Sequence, residues 1–352
     1  MSFGSYRTED VQLLLKDITG LVQPTDTAER ERRIQSGTPY SEMLPIEYEP
    51  SAEYENLYER ALRRNAQKTA DAVASVAAQI YRERAENTVL VSLARAGTPI
   101  GILLKRFLAL RFGVNVPHYS ISILRGGGID ANAMDYILRR HKPEQLQFVD
   151  GWTGKGAISR ELSRAMEAYP DVRSDLAVLA DPAYLAGKCG THEDFLIASS
   201  CLNATVSGLL SRTFYRPDII GEHDFHGAIF YRELQPFDRT ASFLDTVTRC
   251  FSDTVPPPPY GEADGRGLEE AEEIRLRFGI ADLNRVKPGV GEATRVLLRR
   301  MPWKILVHRM DDEEHLGHLY RLAREKGIPL SVYPLRNYRA CGLIRSVKEG
   351  TP

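Results

Sequence analysis

The sequence predicts an α/β protein in two parts, a parallel sheet flanked by helices and then a smaller α/β sandwich. Three observations carry this. Apolar and β-branched runs alternate with helical periodicity between Thr88 and Asp181, the pattern of parallel strands joined by crossover helices. Four consecutive prolines at 256–259 precede the glycine-containing GEADGRG, an extended segment followed by a hinge. Alternation then resumes over residues 268–352.

Taken in order, residues 1–50 are turn-rich and mixed in charge, an arm suited to a lid or a subunit contact. Residues 53–85 interleave alanine with arginine, glutamate and glutamine, which reads as one long helix. TVLVSL is a strand, its glycine-containing turn leads into a helix through ILLKRFLALRFG, and HYSISIL alternates as a second strand. GIDANAMDYILRR is a crossover helix, QLQFVD a strand, GKGAISRELSRAMEAY a helix and DLAVLAD a further strand. Between 187 and 250 the pattern loosens into glycines, histidines and aromatics. Beyond the prolines come a helix at LEEAEEIRLRFG, a turn at NRVKPGVG, a helix at EATRVLLRR, a strand at WKILVH, a helix at HLGHLYRLAREKG and a strand at IPLSVYP. The expected units are an arm at 1–50, a first domain at 51–254, a linker at 255–267 and a second domain at 268–352.

The 352 residues carry 46 basic and 47 acidic side chains, a net charge of -1. A chain so balanced has no global attraction for polyanions, so any nucleic-acid surface must be a local basic patch. MSFGSYRTEDVQ lacks the apolar core of a signal peptide, and no apolar run approaches a membrane span. The four cysteines at 189, 201, 250 and 341 form no CxxC pair. A cytoplasmic, reducing setting with no membrane partner is expected.

In open α/β sheets, ligands gather where strands end and helices begin. Two segments offer a phosphate such a place. In LARAGTPIG, Gly97 brings backbone N–H groups close to an anion and Thr98 caps or donates. In FVDGWTGKGAI, Asp150 ends a strand and Thr153, Gly154, Lys155 and Gly156 form a phosphate-sized nest. The GxxxxGK[ST] spacing of a nucleotide triphosphatase is absent. A third loop, ILRGGGIDANAMD, ends a strand with Arg125.

QFVDGWTGKGAI resembles the ribose-phosphate loop of type I phosphoribosyltransferases, and LARAGTPIG resembles that family's pyrophosphate loop. The resemblance implies a type I phosphoribosyltransferase-like sheet, with Asp150 at the ribose hydroxyls, Thr153 to Gly156 at the 5-phosphate, and Arg95, Ala96 and Gly97 beside the diphosphate. It implies phosphoribosyl diphosphate as donor, with Mg²⁺ held through its phosphates and water rather than by a protein cage. Arg95, Arg125 and Asp150 are the implied catalytic residues. The family's adjacent acids are here replaced by Asp150-Gly151. Most of the chain is similar to a narrower bacterial family from tellurium-resistance and stress gene clusters, which also bears the name StiP-type cysteine protease.

A peptidase needs a thiol and a base in contact. GKCGTHEDF sets Cys189 and His192 three apart, and SSCLNATVSG puts Cys201 at the start of an expected helix, where the dipole favours a thiolate. Cys201 is the candidate nucleophile of this alternative, with His223 and His226 as available imidazoles. The set Cys189, His192, His223 and His226 has zinc-ligand chemistry without zinc-site spacing, and no metal site is expected.

From Arg285 to Arg309, seven cationic side chains face the single acid Glu292, a net +6 that suits several phosphates. PGVGEATRVLLRR resembles the glycine turn and helix of the pelota and kink-turn-binding family. The resemblance implies a pelota-like α/β sandwich whose RNA-facing residues are Gly289, Gly291, Glu292, Thr294 and Arg295, and a structured RNA as partner. Phosphoribosyl transfer to a nitrogenous, nucleoside-related or RNA-linked acceptor is therefore the leading expectation. A cysteine peptidase and a noncatalytic ribose-phosphate or RNA-binding regulator are the alternatives, and a homo-oligomer stays open.

Overall fold

A computed structural model describes residues 3–47 and 49–346. The arm contributes β1 (Gln12–Leu13), β2 (Lys16–Asp17) and a helix, α1 (Thr27–Gln35), where only turns are expected. Asp26 starts that helix by accepting the N–H groups of Ala28 and Glu29. The long helix is α2 (Ala52–Arg84), capped by Ser51, which accepts from the Tyr54 N–H. Next come β3 (Val89–Ala94), α3 (Gly97–Phe112), β4 (His118–Leu124), the short β5 (Gly128–Ile129), α4 (Ala131–Leu138), β6 (Leu146–Val149), α5 (Ala157–Met166) and β7 (Leu176–Ala180). Within the loosely patterned stretch lie β8 (Lys188–Thr191), β9 (Gly227–Ala228) and α6 (Thr240–Thr248). The second domain holds α7 (Arg266–Arg277), β10 (Val286–Pro288), α8 (Val290–Arg299), β11 (Pro302–Val307), α9 (Glu313–Glu325), β12 (Leu330–Val332) and β13 (Ala340–Ile344).

The main sheet runs β1-β4-β3-β6-β7-β8 with every neighbour parallel, and β5 pairs antiparallel to β4. Its strands are buried on both faces: β4, β6 and β7 are buried throughout and β3 at all but its last residue, as a sheet covered by helices on both sides requires. The arm belongs to this unit, since β1 extends the sheet beside β4 and β2 pairs with β9. The chain leaves β3 for β4 on one side and returns to β6 on the other, so a crevice opens at the carboxyl ends of β3 and β6. Gly97 closes its floor: a Cβ there would meet the Val149 carbonyl oxygen at 2.3 Å and the Asp150 Cα at 3.1 Å.

The second sheet runs β10-β13-β11-β12, with β13 antiparallel to both its neighbours and β12 parallel to β11. The segment expected as a simple turn, NRVKPGVG, supplies β10, and ACGLI supplies the central β13. The two domains share one apolar core: Val290, Ala293, Val296 and Leu297 on α8 cluster with Phe195, Leu196 and Ala198 of the first domain. Buried Asp194 anchors the contact, accepting the Val290 N–H at 2.9 and 3.1 Å through its two oxygens and the Arg339 N–H at 2.8 Å. Among the described residues no helix is long and apolar enough to cross a membrane.

Replacing Asp194 by Ala strands the buried Val290 N–H at the head of α8 and the half-buried N–H of Arg339. The expected loss is about 2–4 kcal/mol in urea unfolding, together with faster proteolytic cutting in the proline-rich linker. An unchanged midpoint would mean that apolar contact alone docks the domains.

Candidate functional site

The two glycine loops do meet, at the crevice between β3 and β6, and the second domain roofs it. The result is a cavity of about 610 Å³ lined by the loops after β3 and β6, by Arg125 after β4, and by β10 and α8. Arg95, Ala96, Arg125, Asp150, Thr153, Gly154, Lys155, Gly156, Glu292 and Arg295 all reach it. Nine cationic side chains line it against four carboxylates.

Local bonding gives several of these groups a structural task. Arg95 is buried, ion-paired to Glu47 at 3.0 Å and donating to the Leu210 carbonyl at 2.5 Å. Thr98 lies inside the fold with its hydroxyl 2.7 Å from that of Ser120. Thr153 donates to the buried Asp181 carboxylate rather than capping α5, whose cap is Gly156 in a left-handed conformation. The Lys155 ammonium donates to the carbonyls of Leu283 at 2.8 Å and Val286 at 2.5 Å, and the Gly154 carbonyl accepts from Tyr338 at 2.5 Å. The nest is thus tied to the second domain. Burial brings the Lys155 pKa down to about 8. Asp150 accepts the Gly151 N–H at 2.8 Å, and burial pushes its carboxyl up to about 6 against the lowering pull of that bond and of Arg295. Arg125 is exposed, with Asn284 at 3.4 Å.

The turn expected to face RNA is docked on the first domain. A Cβ on Gly291 would sit 3.2 Å from Trp152 and 3.3 Å from Ser200, and one on Gly289 would sit 3.4 Å from Asp194. Thr294 is buried, donating to the Val290 carbonyl at 2.8 Å and 2.9 Å from His318. Arg295 covers the Trp152 ring at 4.4 Å and lies 3.6 Å from Glu292.

A second cluster stands on the far edge of the sheet. The Cys189 sulfur on β8 is 3.9 Å from both ring nitrogens of His192. His192 Nδ1 is 2.9 Å from the Asp181 backbone carbonyl and 3.8 Å from its carboxylate, and the ring stacks on Tyr184 at 3.8 Å. Burial, with the Asp181 charge adding to it, pushes the Cys189 thiol up to about 12. A Cβ on Gly261 would lie 2.8 Å from Tyr184 and 3.3 Å from His192 Nε2, so the proline-rich linker covers the pair. Asp181, Cys189 and His192 place one ligand atom each within 4.8 Å of the others. Yet the carboxylate of Asp181 already accepts Thr153, the Leu185 N–H and the Ala186 N–H, which leaves it poorly disposed to bind a cation. His226 belongs elsewhere: it sits 2.9 Å from Ser122 on β4, roughly 19 Å from β8 at four strand spacings of about 4.8 Å. Cys201 is buried with its thiol pushed up to about 12, and among the described residues no hydrogen bond joins its sulfur to an imidazole.

Asp181 and Tyr184 carry no role in the sequence reading. The available signal for Asp181 was its place at the end of the strand DLAVLAD, where the ligand rule for open sheets points.

Residues 4–248 match the family of the tellurite-like stress resistance cysteine protease StiP, and residues 265–346 match the PELOTA RNA binding domain. Cysteine protease StiP of Acinetobacter baylyi is 35% identical over 370 residues, covering 99% of this chain and 95% of that protein. Two solved structures are also similar. A hypoxanthine-guanine phosphoribosyltransferase from Bacillus anthracis has a TM-score of 0.27 and 16% identity over 36% of this chain and 77% of its own. A xanthine-guanine-hypoxanthine phosphoribosyltransferase from Helicobacter pylori has a TM-score of 0.23 and 19% identity over 31% of this chain and 69% of its own. At those scores neither bears on function. The cysteine protease matches overturn phosphoribosyl transfer as the leading activity, and the local bonding agrees with the correction: Arg95 is committed to Glu47, and the 5-phosphate loop to the second domain.

The Asp150 carboxyl gives a signed pH prediction. Its folded pKa of about 6 exceeds the ordinary 3.8, so ionisation costs stability above pH 6 and the cost vanishes below about pH 4. Asp150→Asn removes the cost and should melt higher than the parent at neutral pH, by about 1–2 kcal/mol once screening in the open cavity is allowed for. The advantage should close as the pH falls to about 4. A gap that stays constant from pH 8 to pH 4 would assign it to something other than a buried charge.

Proposed function

We propose a cysteine peptidase with Cys189 as nucleophile and His192 as base, starting from the fact that the chain belongs to the tellurite-like stress resistance cysteine protease family, StiP. The observation that carries the reading is the sulfur of Cys189 at 3.9 Å from an imidazole whose Nδ1 is already engaged by the Asp181 carbonyl at 2.9 Å. A carbonyl only accepts, so Nδ1 holds the proton and the Nε2 lone pair is left as the base. This is the nucleophile, base and orienting group of a thiol peptidase.

The chemistry then runs through these atoms. The Cys189 proton passes to Nε2 as the sulfur attacks the peptide carbonyl carbon. The C–N bond breaks, the leaving amine takes the proton from the imidazolium, and a thioester remains on Cys189. Water, giving a proton to Nε2, attacks the thioester and releases the carboxylic acid, and the proton returns to the sulfur. With Nδ1 held by the Asp181 carbonyl, a turn of the Cys189 side chain brings its sulfur from 3.9 Å into line with Nε2, and a shift of the linker at Gly261 admits the substrate.

Hydrolysis of fluorescently labelled casein by the purified chain should be abolished in Cys189→Ser and His192→Ala and retained in Cys201→Ser. Since burial holds the thiol up to about 12, iodoacetamide should label Cys189 about tenfold faster per pH unit, with no plateau between pH 6 and 9. Loss of hydrolysis in Cys201→Ser alone would move the nucleophile to Cys201, and no hydrolysis by the folded parent after linker cleavage would sink the reading.

A further inference from the structure

We propose that the linker between the domains is the peptidase's own first substrate, cut in cis after Gly261 by Cys189 and His192. The proposal rests on the reading of that pair as nucleophile and base, and adds the segment on which the pair acts.

The linker is pinned on both sides of the pair and unbonded across it. Before the pair, the Ser75 hydroxyl on α2 donates to the Pro257 carbonyl at 3.4 Å. After it, the Gly265 N–H donates to the Tyr184 carbonyl at 2.9 Å, and the Arg266 guanidinium covers the Tyr184 ring at 4.2 Å. Between these pins the chain crosses the edge of the imidazole: a Cβ on Gly261 would lie 3.3 Å from His192 Nε2, the nitrogen whose lone pair is the base. That Cβ would also lie 2.8 Å from Tyr184, and the Gly261 φ is 149°, so the passage suits a glycine alone. Among the described residues no hydrogen bond engages the N–H of Tyr260, Gly261 or Glu262, and all three residues are exposed. Exposed backbone without hydrogen bonds is where proteolytic cuts concentrate.

The step is a peptide hydrolysis turned inward. The Cys189 sulfur attacks the Gly261 carbonyl carbon as its proton passes to Nε2. The Gly261–Glu262 C–N bond breaks, and the Glu262 nitrogen takes that proton and leaves as a free amine. Water then adds to the Gly261 thioester and gives a proton through Nε2 to the departing sulfur, so residues 1–261 end in a carboxylic acid. Tethering gives the linker a high effective concentration at the pair, and this cut precedes any cut in another chain. It falls between the two family matches, 4–248 and 265–346. The halves stay together, because α8 and the first domain share an apolar core and Asp194 bridges them. What changes is the cover over Cys189, which passes from a strand held at both ends to two free ends.

The test is intact-mass spectrometry of the purified full-length chain over time, run beside casein hydrolysis. The parent should yield fragments 1–261 and 262–352 that co-elute in gel filtration, at a first-order rate unchanged by about a hundredfold dilution. Cys189→Ser should stay whole, alone and when mixed with the parent. Gly261→Ala, whose methyl group pushes the linker off Tyr184 and His192, should slow the self-cut at least about tenfold while casein hydrolysis is kept or rises. A linker that stays intact while the parent hydrolyses casein overturns the proposal and leaves the peptidase reading standing. An intact linker with no casein hydrolysis, even after an added protease has nicked the linker, removes both. Cutting of Cys189→Ser at the parental rate, a rate that rises with protein concentration, or a second fragment that begins elsewhere than at Glu262 also overturns the proposal.

Discussion

One buried carboxylate, Asp194, sets the geometry on which the cavity between the domains depends. Its oxygens meet backbone N–H groups at the start of α8 and at Arg339, where the helix dipole favours negative charge. Burial pushes the carboxyl up to about 6, with those N–H groups and Arg339 pulling the other way. The tie fixes the second domain across the carboxyl ends of the first domain's strands. An open crevice thereby becomes a roofed cavity, and the basic face of α8 turns inward. Arg300 is held by Glu31 of the arm at 2.8 Å, so the arm closes the same joint from the other side.

Close backbone approach explains the glycines better than anion binding does. At Gly97 any side chain would strike Val149 and Asp150, and that contact is what lets the loops after β3 and β6 share one crevice. Gly190, next to Cys189, answers the same need: a Cβ would lie 2.6 Å from Ala72 on α2. The helix therefore lies directly on β8, and Gln79 on α2 donates to the Cys189 carbonyl at 2.8 Å. The thiol's strand is held rigidly while its histidine sits under a linker.

The alternation of strands and helices from Thr88 to Asp181 was legible because long apolar runs buried on both faces leave few other arrangements. The strands KCGT and ACGLI were not, since each is short and glycine-broken and is stabilised by partners distant in the chain. The meeting of the loops after β3 and β6 was legible from topology. The direction of the basic face was not: counting charges from Arg285 to Arg309 says that a surface is cationic but not whether it looks outward. Cysteine spacing was equally mute. Residues three apart on a continuing strand point to opposite faces, and Cys189 meets His192 only because β8 ends at Thr191.

Asp181 joins what the sequence presents as separate stories. Its carboxylate accepts the hydroxyl of Thr153, in the loop that floors the cavity, and the N–H groups of Leu185 and Ala186. Its backbone carbonyl fixes Nδ1 of His192, and its N–H donates to the Thr191 carbonyl at 2.8 Å. With no exposed surface and every oxygen engaged, this residue cannot move alone. Thr153 at the edge of the cavity and His192 beside Cys189 thus share one buried hydrogen-bonding residue.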